Sequence, residues 1–270
     1  MSTVGHTSRV VAGRPRIHET AIVHPDARLA EDVVIGPYCV VGAEVVLGRG
    51  CVADSHVRLD GPLVAGPGNR FHHGAAIGGE PQDLKYKGAV SSVRIGESNV
   101  FREFVTVNRA TAEGHETAIG DHNLFMAYVH VAHDCTIQDH VILANSVHLA
   151  GHVEVEDHAI VGGVTPVHQF VRIGRYAIVG GGSRVPKDMP PYLKAAGNPL
   201  RVVGLNTVGL ERHGFAVEVR RALKDAYRAL YRSKLNVSQA VERIRAEHLG
   251  VAEIEHLLAF IAASHRGIVR

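Results

Sequence analysis

The chain has 270 residues, 46% hydrophobic and 21% charged, with a formal net charge of +2 and no Trp. That supplies one large core plus a small second unit, and no run of about eighteen apolar residues is present to span a membrane. Three cysteines, Cys39, Cys51 and Cys135, are scattered without a CxxC and read as reduced, buried thiols of a cytosolic protein. Charge is uneven: residues 1–191 hold 16 Lys/Arg against 20 Asp/Glu, and residues 192–270 hold 13 against 7. A basic tail with little aromatic interleaving suits an acidic partner rather than nucleic acid.

Residues 1–15 lack the apolar stretch and cleavage pattern of a signal peptide and read as an N-terminal extension. From Ile17 an apolar side chain recurs every six residues: Val23, Leu29, Ile35, Val41 and so on to Ile77. The march resumes in phase at Ile95, Phe101 and Val107, and again from Ile119 to Val185. A six-residue period is neither helical nor that of a simple amphipathic strand; it marks a hexapeptide β-helix. Each hexapeptide forms one flat side, three sides close a coil, and residues eighteen apart stack at roughly the 4.8 Å sheet spacing. Residues 16–191 are therefore expected to form an all-β solenoid, a parallel β-helix. Two segments, 78–92 and 108–117, break the march as inserted loops, which often carry function. Pro186, Pro190 and Pro191 stop the coils, because proline cannot donate to a ladder.

Residues 192–270 read as a small α-helical C-terminal domain. A connector spans Tyr192–Asn206. Helices are expected over Thr207–His213, over Ala216–Ser233 with Val219, Leu223, Ala226 and Leu230 on one face, from a Ser238 cap to Leu249, and over Val251–Ser264. Arg220, Lys224, Arg228 and Arg232 recur every four residues and form a basic stripe on the second of these.

The densest polar cluster in the solenoid is His130-Val-Ala-His133-Asp134-Cys135. Eighteen residues on, His148 stacks on His130, Gly151 on His133 and His152 on Asp134; the next coil brings His168, with Gln169 in the His133 column. A neutral imidazole is a general base near pH 7, and a glycine one coil above offers an unobstructed N–H to a developing oxyanion. His133 with Gly151 thus makes an acyl-transfer pair. No nucleophile stands beside it except Cys135, which is expected to be buried, so direct transfer to an acceptor is favoured over an acyl-enzyme. His122, His140 and His158 also stack at eighteen and read as a solvated corner ladder. A rival reading makes His130 and His148 zinc ligands, as in a carbonic-anhydrase-like enzyme. A scaffold or ice-binding reading would need a flat Thr-rich side, which is missing.

These strings, with Gln82-Asp-Leu-Lys-Tyr86, Ile142-Leu-Ala-Asn145, Val167-His-Gln-Phe170, Pro190-Pro-Tyr192 and Gly209-Leu-Glu-Arg-His-Gly-Phe215, resemble the acyl-[acyl-carrier-protein]–UDP-N-acetylglucosamine O-acyltransferases of lipid A synthesis. The resemblance spans about residues 16–270. It implies left-handed coils and a cytoplasmic homotrimer with sites between subunits. His133 would be the general base, Asp134 its positioning partner and the Gly151 N–H the oxyanion donor. Asp83, Lys85, His130, His152, His168, Gln169, Asn206 and Arg212 would bind substrate. The partners would be acyl carrier protein and UDP-N-acetylglucosamine, with no metal or resident cofactor; the acyl group arrives on the carrier's phosphopantetheine. Departures fall at Asn108, where some members carry His, at Ala110 for a usual Gly, and at Val208 and His213; they bear on sugar and nucleotide contacts rather than on the base. Gly181, in the region that sets acyl length, implies a long 3-hydroxyacyl chain. Relatives that acylate a 3-amino sugar leave an amide product open. A related N-acyltransferase is also similar, but usually carries a domain before its coils.

Overall fold

The structure, a computed structural model, describes residues 14–270. The extension expected over 1–15 lies almost wholly outside those residues.

From Arg16 to Ile178–Val179 the chain forms short strands, most only two residues long, that assemble into three sheets of stacked parallel strands. In each pair the second residue points inward and the first outward: Val34 is half-buried while Ile35 is 1% exposed. The inward residues stack in columns of one chemistry. Ile17 pairs with Ile35, Ile35 with Ala53 and Ala53 with Phe71; Phe71, Phe101 and Phe125 then stack ring on ring, centroids 5.2 and 4.8 Å apart. β-Branched and aromatic side chains fill such a pleated interior well.

As far as Ile178–Val179 the partner of each inward residue lies eighteen positions away, as Ile17 to Ile35, except across the two insertions; the last step, Val179 to Ala195, is sixteen. Ile77 pairs with Val107 across the first and Val107 with Val131 across the second. The insertions therefore add twelve and six residues, whole multiples of the period, which is why the march resumes in phase.

Corners require left-handed backbone once per turn, and this chain places many non-glycine residues there. One corner column holds Ser98, His122, His140, His158, Tyr176 and Tyr192, all with φ between 55° and 67°. The strain of those positions is offset by stacking: His122, His140, His158 and Tyr176 lie nearly parallel, with centroids 4.6–5.1 Å apart. Each preceding aspartate accepts from the coil before, Asp139 from the Asp121 N–H (2.8 Å) and Asp157 from the Asp139 N–H (3.1 Å). The expected histidine ladder is thus a corner device. Burial, then the neighbouring His140 and His213, push the His158 imidazole below its ordinary value.

The sheets run further than the prolines suggested. In place of a connector over Tyr192–Asn206, Leu193–Ala196 pairs in parallel with Ile178–Val179, then turns back antiparallel into Arg201–Leu205. Tyr192, just before this hairpin, is buried among Tyr176, Phe215 and His256. Four helices follow among the described residues: α1 (Thr207–Arg212), α2 (Val217–Tyr231), α3 (Val237–Glu247) and α4 (Ala252–Ala262). The expected face of α2 is inward, with Leu223, Ala226 and Leu230 buried and Val219 partly so. The start of α3 differs from expectation: Asn236, not Ser238, is the cap. Its side chain accepts from the Gln239 N–H (2.9 Å), and the Gln239 side chain accepts from the Asn236 N–H (3.1 Å), a reciprocal capping box.

Helix α4 is tied to the coils by an ionic hub. Glu156 accepts from His256 Nε2 (3.1 Å) and the Arg175 N–H (2.9 Å), with Arg172 at 3.5 Å, while Arg172 lies over the Phe260 ring.

Candidate active site

His133 and Asp134 occupy the corner between the strand His130–Val131 of the second sheet and Thr136–Ile137 of the third. Asp134 takes the left-handed turn position (φ 59°), and its carboxylate folds back on the histidine before it. Oδ2 lies 2.8 Å from His133 Nδ1. The same oxygen accepts from the Thr111 hydroxyl (2.7 Å) and the Thr111 N–H (3.1 Å). The Asp134 N–H donates to Thr117 Oγ1 (2.9 Å). Burial alone would raise this carboxyl, but the hydrogen bonds from Thr111 and His133 outweigh it and hold it below the usual carboxylate range. An ionised carboxylate only accepts, so Nδ1 carries the proton and Nε2 presents its lone pair.

Gly151 sits directly above that ring. A methyl group there would overlap His133 Cε1 and come within 2.7 Å of Nε2. Absence of a side chain is what lets the imidazole stack against this backbone. Among the described residues the Gly151 N–H has no acceptor, whereas its carbonyl accepts from the Phe170 N–H (3.1 Å).

His152 crosses the His133 ring edge-on at 5.3 Å, lies flat on Phe170 at 4.6 Å, and brings Nε2 to 3.8 Å from Asp134 Oδ2. His130 pairs in register with His148, and its Nδ1 lies 2.7 Å from Thr106 Oγ1. Burial, then His148 and His133, press its imidazole below the ordinary value and favour the neutral form. Cys135 is fully buried; burial pushes its thiol up to about 12, so it offers no thiolate.

The remaining candidates are spread more widely. His168 turns its Nδ1 to the Gln169 carbonyl at 3.1 Å, and Gln169 is exposed. Asp83 accepts from the Lys85 N–H (2.9 Å) in the first loop, and neither touches the histidine cluster within one chain. Arg109 fastens that loop, donating to the Gly78 carbonyl, Glu80 Oε1 and the Tyr86 hydroxyl at 3.1–3.2 Å. Asn206 is 4% exposed and is committed to the fold: it caps α1 through the Gly209 N–H (3.1 Å) and donates to the Tyr176 carbonyl (2.9 Å). Arg212 stands exposed in the last turn of α1, and His213 packs edge-on against His158 and Tyr176. At the departure Asn108, Nδ2 donates to the Glu80 carbonyl (2.8 Å), while buried Oδ1 has no partner among the described residues.

The grouping able to approach a cation is not the expected His130–His148 pair, whose rings are 6.4 Å apart. It is His133, Asp134 and His152, with donor atoms within 4.8 Å of one another. There, three donors already occupy Asp134 Oδ2, and a cation bound through that oxygen would have to displace them. Sequence reasoning missed Thr111 and Thr117. They lie in or beside the second insertion, where the eighteen-residue column rule is suspended.

A family model described as bacterial transferase hexapeptide (six repeats) matches residues 14–49 and 116–151, and one described as Udp N-acetylglucosamine O-acyltransferase; Domain 2 matches residues 188–269. The acyl-[acyl-carrier-protein]–UDP-N-acetylglucosamine O-acyltransferase of Myxococcus xanthus is 48% identical over 256 residues, covering 94% of this chain and 99% of the relative. The chain belongs to that acyltransferase family. The family member from Trichlorobacter lovleyi is 52% identical over 258 residues, again 94% of this chain and 99% of the relative. Among solved family structures, LpxA from Acinetobacter baumannii superposes with a TM-score of 0.91 at 42% identity, covering 94% of this chain and 99% of that one. The UDP-N-acetylglucosamine acyltransferase from Bacteroides fragilis gives 0.91 at 41%, covering 94% and 100%. Family membership makes the chain an acyltransferase and sets aside the hydratase and scaffold readings.

Proposed function

We propose that the chain transfers a 3-hydroxyacyl group from acyl carrier protein to the glucosamine 3-hydroxyl of UDP-N-acetylglucosamine, the opening step of lipid A assembly. One observation carries this: His133 Nδ1 is fixed on Asp134 Oδ2 at 2.8 Å, with the rest of the ring against the bare backbone of Gly151.

His133 Nε2 takes the proton of the 3-hydroxyl as that oxygen bonds to the thioester carbonyl carbon. The carbonyl electrons move onto oxygen, where the Gly151 N–H receives the charge. Collapse breaks the C–S bond, and the departing phosphopantetheine sulfur takes the proton back from Nε2. Asp134 remains ionised throughout and stabilises the transient imidazolium. The steps need no resident cofactor. His130, His152, His168 and Gln169 are assigned to the sugar and diphosphate, Asp83 and Lys85 to the acceptor side, and Arg212 to the nucleotide or carrier. Asn206 is retained with these only through the α1 end that it caps. Gly181, exposed and bare, suits a long acyl chain.

The working form is assigned as a homotrimer. In support, among the described residues Asp83 and Lys85 make no hydrogen bond or ion pair with a histidine of the same chain. Ile22 (68% exposed) and Val40 (37%) on the outer face of the second sheet, with Tyr128 (57%) at its edge, are also surfaces a neighbour would cover. No helix among the described residues is long and apolar enough to cross a membrane. We assign the enzyme to the cytosol on the strength of its proposed substrates. Acyl carrier protein is assigned to the cleft beside α2. It is lined by Arg220, Arg221, Lys224 and Arg228, with Asp225 the one acid. Of the expected stripe, Arg220 is paired with Glu211 (3.3 Å), Arg228 with Asp225 (3.2 Å) and Arg232 with the Tyr227 hydroxyl (2.9 Å). Lys224 and Arg221 are exposed and have no ion-pair partner among the described residues, so the attraction centres on these two.

The test is direct. Purified protein is incubated with 3-hydroxyacyl carrier protein and either UDP-N-acetylglucosamine or its 3-amino analogue, and product mass is read. An ester on the 3-hydroxyl is expected. Amide from the analogue alone would reassign the acceptor, and no product from either would sink the reading.

A further inference from the structure

The second insertion has no role so far. In the coils that follow, the corner between the second and third sheets is turned directly, as from His130–Val131 to Thr136–Ile137. In the coil before, the chain leaves the strand Thr106–Asn108 and does not rejoin the third sheet until Glu116–Ile119. The added residues fold under the catalytic corner. Thr111 then meets Asp134 from below with both of its donors, hydroxyl at 2.7 Å and N–H at 3.1 Å, on the very oxygen that holds His133. Thr117, fully buried where the loop re-enters the sheet, receives the Asp134 N–H at 2.9 Å. The loop is itself anchored: the Ser91 hydroxyl donates to the Ala110 carbonyl, the Val90 N–H to Glu113 Oε2 (2.8 Å), and the Gly114 N–H to the Val90 carbonyl (2.9 Å).

We propose that Thr111 is a positioning residue for acyl transfer, and that the 108–117 insertion exists to deliver it. An unassisted aspartate has several staggered and rotated positions for its carboxylate. Two donors from one residue, at fixed geometry, select the rotamer in which Oδ2 faces His133 Nδ1. That rotamer in turn fixes the ring tautomer with Nε2 free. His133 is thus aimed through a two-step relay, Thr111 to Asp134 to His133, and Thr111 touches no substrate. The other titratable groups facing this carboxylate are His152 at 3.8 Å and the exposed His115 at 4.0 Å from Oδ1. Both stand beyond hydrogen-bond distance, so neither replaces Thr111 as an anchor.

This rests on the acyl-transfer reading, and the experiment separates the two. Thr111→Val removes the hydroxyl at nearly constant shape, and Thr111→Ser restores it. Expected for Thr111→Val is a fall in kcat of about 10–100-fold, the usual cost of losing such a supporting contact. KM for both substrates should change less than about twofold, and Thr111→Ser should recover most of the rate. The same substitution placed in an Asp134→Ala background should cost nothing further, because the group it acts through is gone. An independent readout is ¹⁵N NMR of labelled histidine, in which the Nδ1–H form of His133 should give way to a tautomer mixture in Thr111→Val. That signal does not depend on turnover: an inactive wild type with the signal intact would overturn the acyl-transfer reading alone. Full activity of Thr111→Val, an equal loss in the Asp134→Ala background, or an unchanged His133 tautomer would each overturn the relay.

Discussion

At His133, the proposed base, two neighbours remove freedom and one removes obstruction. His133→Ala should lower acyl transfer by about 10²–10⁴-fold, the range for a lost general base. Its unfolding midpoint should barely move, since the ring fills no core; steady-state kinetics beside a thermal melt check both halves. Gly151→Ala should be nearly as damaging in kcat, because the new methyl lands on the imidazole; an enzyme of normal kcat would deny the ring its position under that amide. His133, Asp134, Gly151 and His152 were legible because the period alone stacks them. Thr111 was not: it lies 23 residues before Asp134, and that spacing has meaning only once the insertion is seen to fold beneath the corner. Asn206 shows the opposite limit. A motif match marked it for substrate, while its amide is occupied by the Gly209 N–H and the Tyr176 carbonyl.

Among the elements, the hexapeptide strands were readable from apolar side chains, but one interior ladder was not, because it is polar. Asn69, Asn99 and Asn123 are buried in one corner column. Asn69 Oδ1 accepts from the Asn99 N–H (3.0 Å), Asn99 Oδ1 from the Asn123 N–H (2.9 Å), and Asn99 Nδ2 donates to the Gly120 carbonyl (2.8 Å). Each side chain completes a backbone group that the corner leaves open. Asn99→Ala should cost about 1–3 kcal/mol, the price of orphaned buried partners, read as a lowered unfolding midpoint. For α2, reversing charge at Arg221 and Lys224 together should raise KM for acyl carrier protein and flatten its salt dependence while leaving KM for the nucleotide sugar alone. An unaltered salt slope would move the carrier to another surface. The start of α3 was within reach of the sequence, since Asn236-x-x-Gln239 spells a capping box; Ser238 distracted from it.

At the scale of the whole molecule, coils and helices are held together by Glu156, whose carboxylate reaches from the solenoid to α4. Burial works to raise it, but His256, the Arg175 N–H and Arg172 together hold it below the ordinary glutamate value. A depressed carboxylate contributes stability that is fully present above its unfolded pKa and lost as pH falls through the folded one. Glu156→Gln should therefore lower the melting temperature at neutral pH, and the gap between the two proteins should close below about pH 4, near the usual glutamate range. A gap independent of pH would show that the carboxylate's charge is not what binds α4. The hairpin Leu193–Ala196 with Arg201–Leu205 was hidden because three prolines announced an end, although the ladder continues once they are passed. The two insertions, by contrast, leave the march intact on either side of them. A segment looped out at a corner leaves the side chains beyond it facing as before, whatever its length: Ala195 follows Val179 by sixteen residues and is still buried. Outgrowths can therefore sprout from the trunk while the imidazole corner above keeps its bearing, and a new contact can be tried without rewinding the rest.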